Sequence, residues 1–223
     1  MEGSLIDKLY AAVFVLVPML LSLTVHEYSH ARSAYLLGDD TAAAGGRMTL
    51  NPIAHIDWFG TILLPLLAVW FGGPFFGWAK PVPVNPLRFT RRIRMKTGML
   101  ITAAAGPASN LVMAFGVAVL FRVLALLEVP IAHDSPILTL LVAIFQINVV
   151  LAVFNLIPVP PLDGSRILVG VLPDSVLPFF LWLERNPIYV ILAFVLLMSQ
   201  AGTILQVPVR FLTDAILLVT GNA

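Results

Sequence analysis

Four long apolar blocks dominate the chain, at residues 9–25, 98–127, 137–157 and 188–209. A helix needs about 20 apolar residues to cross the ~30 Å hydrocarbon core of a bilayer, and each block approaches or exceeds that length. Hydrocarbon offers no water to backbone N–H and C=O groups, so a spanning segment must satisfy them internally, as a helix does. The blocks therefore predict an all-α polytopic membrane protein with four firm transmembrane helices. Two more apolar stretches are too short or too broken for full spans: 59–71, and 167–183, which prolines interrupt. They predict one or two shorter or re-entrant segments. Composition agrees: 59% of the 223 residues are hydrophobic, 11% are charged, and mean hydropathy is +0.96. A soluble domain carries about 25% charge. No linker or repeat divides the chain. The expectation is one domain over 1–223, with a core at about 9–170 and C-terminal helices at about 171–223. Gly202 and Pro208 are the places where the last block could divide.

Charge distribution sets the expected topology. The stretch RFTRRIRMK, residues 88–96, holds four arginines and one lysine, whereas EVPIAHDSP, residues 128–136, holds two acids and no Lys or Arg. The excess of basic residues in cytoplasmic loops places 88–96 inside and 128–136 outside. The first helix then runs inward and ends near Arg32, the block 98–127 runs out, and 137–157 returns. Arg32 and the basic cluster share a side, so 59–71 should dip and come back. The Gly/Pro-rich stretch 72–87 is a poor spanning helix. The basic cluster reads as this topology signal, and no nucleic-acid partner is expected. The first block lacks a basic lead-in and a cleavage site, so it is expected to be retained. The chain has no cysteine, which excludes disulfides and thiolate metal ligands.

The segment LTVHEYSHA, residues 23–31, puts two histidines and a glutamate at the end of the first apolar block. Ionisable residues within a membrane helix are costly and mark function by default. His26 and His30 are four residues apart, so on a helix both imidazoles project from one face, one turn apart. They can supply two corners of a tetrahedral zinc site, with Glu27 beside them as general base. From Leu9 to His26 the helix rises ~26 Å, which places the histidines inside the bilayer near its cytoplasmic face. A third ligand is sought elsewhere at similar depth. In NLIPVPPLDGSRIL, residues 155–168, three prolines end an apolar span and Asp163 follows at once. Irregular backbone at membrane depth is tolerated where protein or a water-filled cavity surrounds it. Asp163 facing the histidine pair would complete a His-His-Asp site for one Zn2+ per chain.

HEYSH on a first helix, AAAGPASNLVMA (103–114, with Gly106 and Asn110) on a later one, and NLIPVPPLDG closing another resemble the site-2 protease family of intramembrane zinc metalloproteases. The resemblance covers roughly residues 10–170 and implies a site-2-protease-like core in a bacterial cell membrane. It implies that His26, His30 and Asp163 bind zinc and that Glu27 activates water. It also implies tentative substrate-binding or oxyanion roles for Asn155 and Asn110, the latter on a helix that supports the site. The implied activity is regulated intramembrane proteolysis of transmembrane or membrane-associated protein substrates. Unlike longer members, the chain has no PDZ insertion in the loop 128–136. The segments NPIAHIDWFGTILLPLL and FGWAKPVPVNP look like those of the compact subgroup.

A transmembrane substrate must unwind before it can be cut. The segment 77–86, whose Pro81, Pro83 and Pro86 favour extended backbone, could pair with the unwound strand. His55 and His133 are expected to be structural or solvated, and Asn148 to bond between helices. The rival from another class is a metal-ion transporter or channel lined by His26, His30 and Asp163. It would call for more polar residues along several helices, and it gives Glu27 no task.

Overall fold

The computed structural model describes residues 5–71, 77–132 and 134–222. Eight α-helices appear among them: α1 (Leu5–Leu36), α2 (Thr41–Ala44), α3 (Leu64–Phe71), α4 (Met95–Leu126), α5 (Pro136–Asn155), α6 (Asp163–Val171), α7 (Leu177–Arg185) and α8 (Pro187–Thr220). No strand occurs among the described residues. Four segments are long and apolar enough to cross a membrane: α1, α4, α5 and Gly202–Thr220 within α8. The chain is a multi-pass, all-α membrane protein, as the apolar blocks predict.

Helix α4 is the centre of the bundle and packs against α1, α5, α6 and α8. Its buried face is a row at every fourth position: Gly98, Thr102, Gly106, Asn110, Ala114 and Ala118. Small residues at this spacing let helix backbones approach closely, which is how helices associate where lipid removes the hydrophobic driving force. At the C-terminal end of the row, Ala114 and Ala118 form a cluster with Phe145 and Val149 that Val209, Leu212, Ile216 and Leu217 of α8 cover. Asn222 Nδ2 donates to Ala118 O at 2.8 Å and fixes the end of α8 against α4.

Helix α8 is continuous through Gly202 and Pro208. The division expected at those residues does not occur. A proline removes one N–H, and helices packed in a membrane tolerate that loss because neighbouring groups re-satisfy the backbone. The break comes earlier, before Pro187, where Asp174–Leu183 and Pro187–Gln200 meet at 91°. Asn186 has φ −121° and ψ 72°, outside the helical region, as the residue before a proline prefers.

Between α1 and α4 the chain makes one excursion. It starts and ends at the same end of the bundle, where Thr90 N donates to Leu37 O at 2.7 Å. The apolar helix Trp58–Phe71 is too short to cross a membrane. It opens with a wide π turn over Trp58–Leu63, capped by the Asp57 carboxylate, which accepts from Phe59 N and Gly60 N. The returning chain lies beside this start. Trp78 N donates to Gly60 O at 3.2 Å, Lys80 N to His55 O at 2.9 Å, and Thr61 Oγ1 to Trp78 O at 2.6 Å. Leaving and rejoining the bundle at one end is the path that the dip expected from the sequence requires. The returning stretch from Gly77 to Asn85 has no helical turn and leads back toward α4.

Candidate metal centre

Helix α1 runs six residues beyond His30, so both histidines lie within its body. Both are buried, His26 at 4% exposure and His30 at 8%. His26 Nδ1 lies 2.7 Å from Asn110 Oδ1, and His30 Nδ1 lies 2.7 Å from Thr102 O. Both partners are oxygens that accept, so each Nδ1 carries the proton and each Nε2 presents a bare lone pair. The two Nε2 atoms are 3.0 Å apart. Asp163 Oδ2 lies 3.2 Å from each of them.

Three acceptors thus converge on one point, an arrangement that a cation satisfies. Zinc bonds of 2.0–2.1 Å in a tetrahedron put ligand atoms ~3.3 Å apart. The observed triangle of 3.0, 3.2 and 3.2 Å is close to that shape. Among the described residues, His26, His30 and Asp163 form the one group of at least three such side chains close enough to share a metal. The residues present fit zinc.

Local sequence explains how Asp163 arrives there. Helix α5 ends at Asn155, the prolines at 158, 160 and 161 prevent its continuation, and α6 begins at Asp163. A carboxylate in the first turn also meets the positive end of the helix dipole. Gly164 has to be glycine, because a Cβ there would lie 2.2 Å from Leu156 O and 2.4 Å from Ile157 O. The close packing of α6 on the end of α5 holds the carboxylate over the histidines. Gly106 does the same from α4: its bare backbone lies directly against both imidazole rings, where a Cβ would sit 2.3 Å from His30 Nε2.

Glu27 is 8% exposed, and its Oε2 accepts a hydrogen bond from Val82 N at 2.7 Å. The stretch carrying Val82 is tied at other points too. Arg47 donates to Lys80 O at 2.7 Å, and Asn85 N donates to the buried Asp39 carboxylate at 2.6 Å. A cavity of about 210 Å³ lies between this stretch and the metal-ligand triad, lined among others by Glu27, Val82, Asn155, Asp163 and Arg166. A buried carboxylate, a candidate metal site and a tethered segment therefore face one small chamber.

The structure separates the two asparagines. Asn155 lines the chamber, with Nδ2 donating to Leu151 O at 3.0 Å. Asn110 is completely buried behind His26 and is held by His26, Asn148 and Ser22. That position puts Asn110 against His26 and not among the residues that line the chamber. Asn148 bonds between helices as expected, to Asn110 of α4 and Ser22 of α1. His55 is buried away from the triad, with Nε2 donating to Thr49 O at 2.9 Å. His133 lies outside the described residues. Sequence reasoning missed the Thr102 carbonyl and the Val82 N–H, which are backbone groups without a side-chain signature.

Known proteins are similar to this chain in sequence. A Bacillus subtilis protein named "Putative zinc metalloprotease YwhC" is 42% identical over 168 residues, which cover 73% of this chain and 71% of the relative. The chain belongs to the site-2 protease family of zinc metalloproteases. Proteins with the same description and the name Rip2 are more distant. The one from Mycolicibacterium smegmatis is 32% identical over 161 residues, and the one from Mycobacterium tuberculosis is 33% identical over 157. In both cases the match covers 70% of this chain and 56% of the relative. No family model matches the chain, and no solved structure does. For this site-2 family member, zinc is the metal that the relatives' names imply, and the triad has the donor set for it.

Proposed function

We propose that this membrane metalloprotease is an intramembrane endopeptidase that hydrolyses peptide bonds of transmembrane or membrane-associated protein substrates. The convergence of three lone-pair donors, two of them flanking Glu27 on a helix long enough to span a bilayer, carries the reading. His26, His30 and Asp163 would hold one zinc per chain. Zinc, when bound, supplies a Lewis acid that acidifies water and polarises a carbonyl.

The chain's own residues do the rest. Glu27 takes the proton of the attacking water and returns it to the leaving nitrogen. The Val82 N–H keeps one carboxylate oxygen in place and leaves the other for the water. Asn155, at the chamber wall, is placed to donate to a substrate carbonyl as it gains charge. The segment 77–86 offers extended backbone along which an unwound substrate can lie. The basic cluster at 88–96 supports an orientation with the chamber near the cytoplasmic face, and the relatives' organisms support a bacterial cell membrane.

The test is cleavage of a single-span substrate by the purified protein in lipid vesicles, for wild type and Glu27→Gln. Cleavage that requires zinc and falls at least ~10²–10⁴-fold in the variant is expected from the loss of a positioned base. Metal flux across the vesicles without cleavage would favour the transporter and refute the protease.

A further inference from the structure

We propose that Asn148, two hydrogen bonds away from the metal ligands, is a positioning residue that determines which nitrogen of His26 faces the metal. The proposal rests on the metal-centre reading above. Asn148 is completely buried on α5, and its amide can be placed in only one orientation. Its Nδ2 lies 2.8 Å from Ile144 O and 2.8 Å from Ser22 Oγ. A backbone carbonyl only accepts, so the NH2 group has to face Ile144. Ser22 spends its own hydrogen on Pro18 O at 2.7 Å, so its oxygen also has to accept there. Both hydrogens of Asn148 are thereby used, and its Oδ1 is turned toward α4.

That oxygen accepts from Asn110 Nδ2 at 2.8 Å, while the same Nδ2 makes a longer contact of 3.4 Å to Ser22 O. The Asn110 amide is thereby oriented with Oδ1 toward His26 Nδ1 at 2.7 Å. An oxygen at that place requires Nδ1–H, which leaves the lone pair on Nε2, the atom that faces His30 and Asp163. Orientation is therefore passed from two backbone carbonyls, Pro18 O and Ile144 O, through Ser22, Asn148 and Asn110 to one ring nitrogen. Flipping either amide would set acceptor against acceptor where both side chains are completely buried. Partners that fix a ligand's tautomer typically matter 10–100-fold in metal affinity.

Two substitutions separate this role from ordinary packing. Asn148→Leu removes the acceptor for Asn110 and suits an apolar helix. Asn148→Asp, neutral in such surroundings, offers a carbonyl to Asn110 and an O–H to Ser22, so it preserves the relay, although it suits lipid less well than leucine. The measurements are zinc affinity by chelator competition, the visible spectrum of the cobalt-substituted protein, and melting temperature. Asn148→Leu should melt near wild type, bind zinc about 10–100-fold more weakly and show an altered cobalt spectrum. Asn148→Asp should melt lower but keep wild-type affinity and spectrum. Unchanged affinity and spectrum in Asn148→Leu would overturn the proposal, as would affinity that simply follows melting temperature across the variants. Wild-type protein that binds no zinc would overturn the metal centre itself, and this proposal with it.

Discussion

Replacing Gly106 by alanine would put a methyl group 2.3 Å from His30 Nε2, 2.5 Å from His30 Cε1 and 2.6 Å from His26 Cε1. Ordinary contact begins at 3.4 Å, so both rings must retreat by ~1 Å. They can do so, because each imidazole ends a rotatable side chain. The fold should therefore survive: overpacking costs about 1–3 kcal/mol, and alanine in place of glycine within a helix returns about 0.8–1.0 kcal/mol. The metal centre should not survive. Metal ligands need to stay within ~0.2 Å of their proper distances, and the retreat is several times larger. It also pulls both rings from Asn110 and Thr102, each now 2.7 Å away. Loss of one orienting partner weakens metal binding ~10–100-fold, so disturbing two rings should cost at least ~100-fold. Chelator competition for zinc, beside a thermal melt in detergent, is the assay. A Gly106→Ala protein that binds zinc as tightly as wild type would refute the packing of both rings on α4.

Glu27→Gln should keep its zinc, because the glutamate is not among the three converging donors, while hydrolysis drops at least ~10²–10⁴-fold; zinc analysis and a cleavage assay on one preparation decide it. Asp163→Ala and His26→Ala should each lose bound zinc by elemental analysis, and unchanged stoichiometry in both would remove the three-ligand site. Gly164→Ala brings a Cβ to 2.2 Å from the Leu156 carbonyl, which is backbone and cannot swing aside. It should lower stability by about 1–3 kcal/mol or more and reduce zinc binding, seen as a lower melting temperature. In this cysteine-free chain, Pro130→Cys should react with an impermeant thiol reagent added to intact cells and Arg92→Cys should not; the opposite pattern would invert the topology.

The spans were legible because a bilayer demands about 20 apolar residues and few sequences supply them by accident. Their ends were not. The apolar block stops at residue 25 and the first helix reads as ending near Arg32, whereas α1 runs through His26, Glu27 and His30 and on to Leu36. Hydropathy falls there because α4, not lipid, covers that turn, and packing of this kind leaves no mark on composition. The apparent division at Gly202 and Pro208 failed for a related reason, since α8 leans on α4 and α5 just beyond the proline. His26, His30 and Asp163 stood out as ionisable residues in apolar surroundings, and the structure brings all three together. Asn110 was legible as a polar residue on a buried helix, but which side of the histidine it served depended on a helix crossing that one sequence does not encode locally. The tether from Val82 to Glu27 is a main-chain donor, and side-chain patterns do not reveal it.

The chamber beside Glu27 holds about 210 Å³. A regular helix keeps its peptide N–H and C=O groups tied within itself, so a substrate meets Glu27 and the triad only with backbone freed from that ladder. Every backbone group freed from a substrate helix in hydrocarbon costs several kcal/mol unless it finds a new partner, so admission is governed by how easily the visiting helix comes apart. For the endopeptidase proposed here, the first selection step is a property of the substrate: a glycine, a proline or a helix end near the chamber lowers the barrier, and a well-formed helix is left intact.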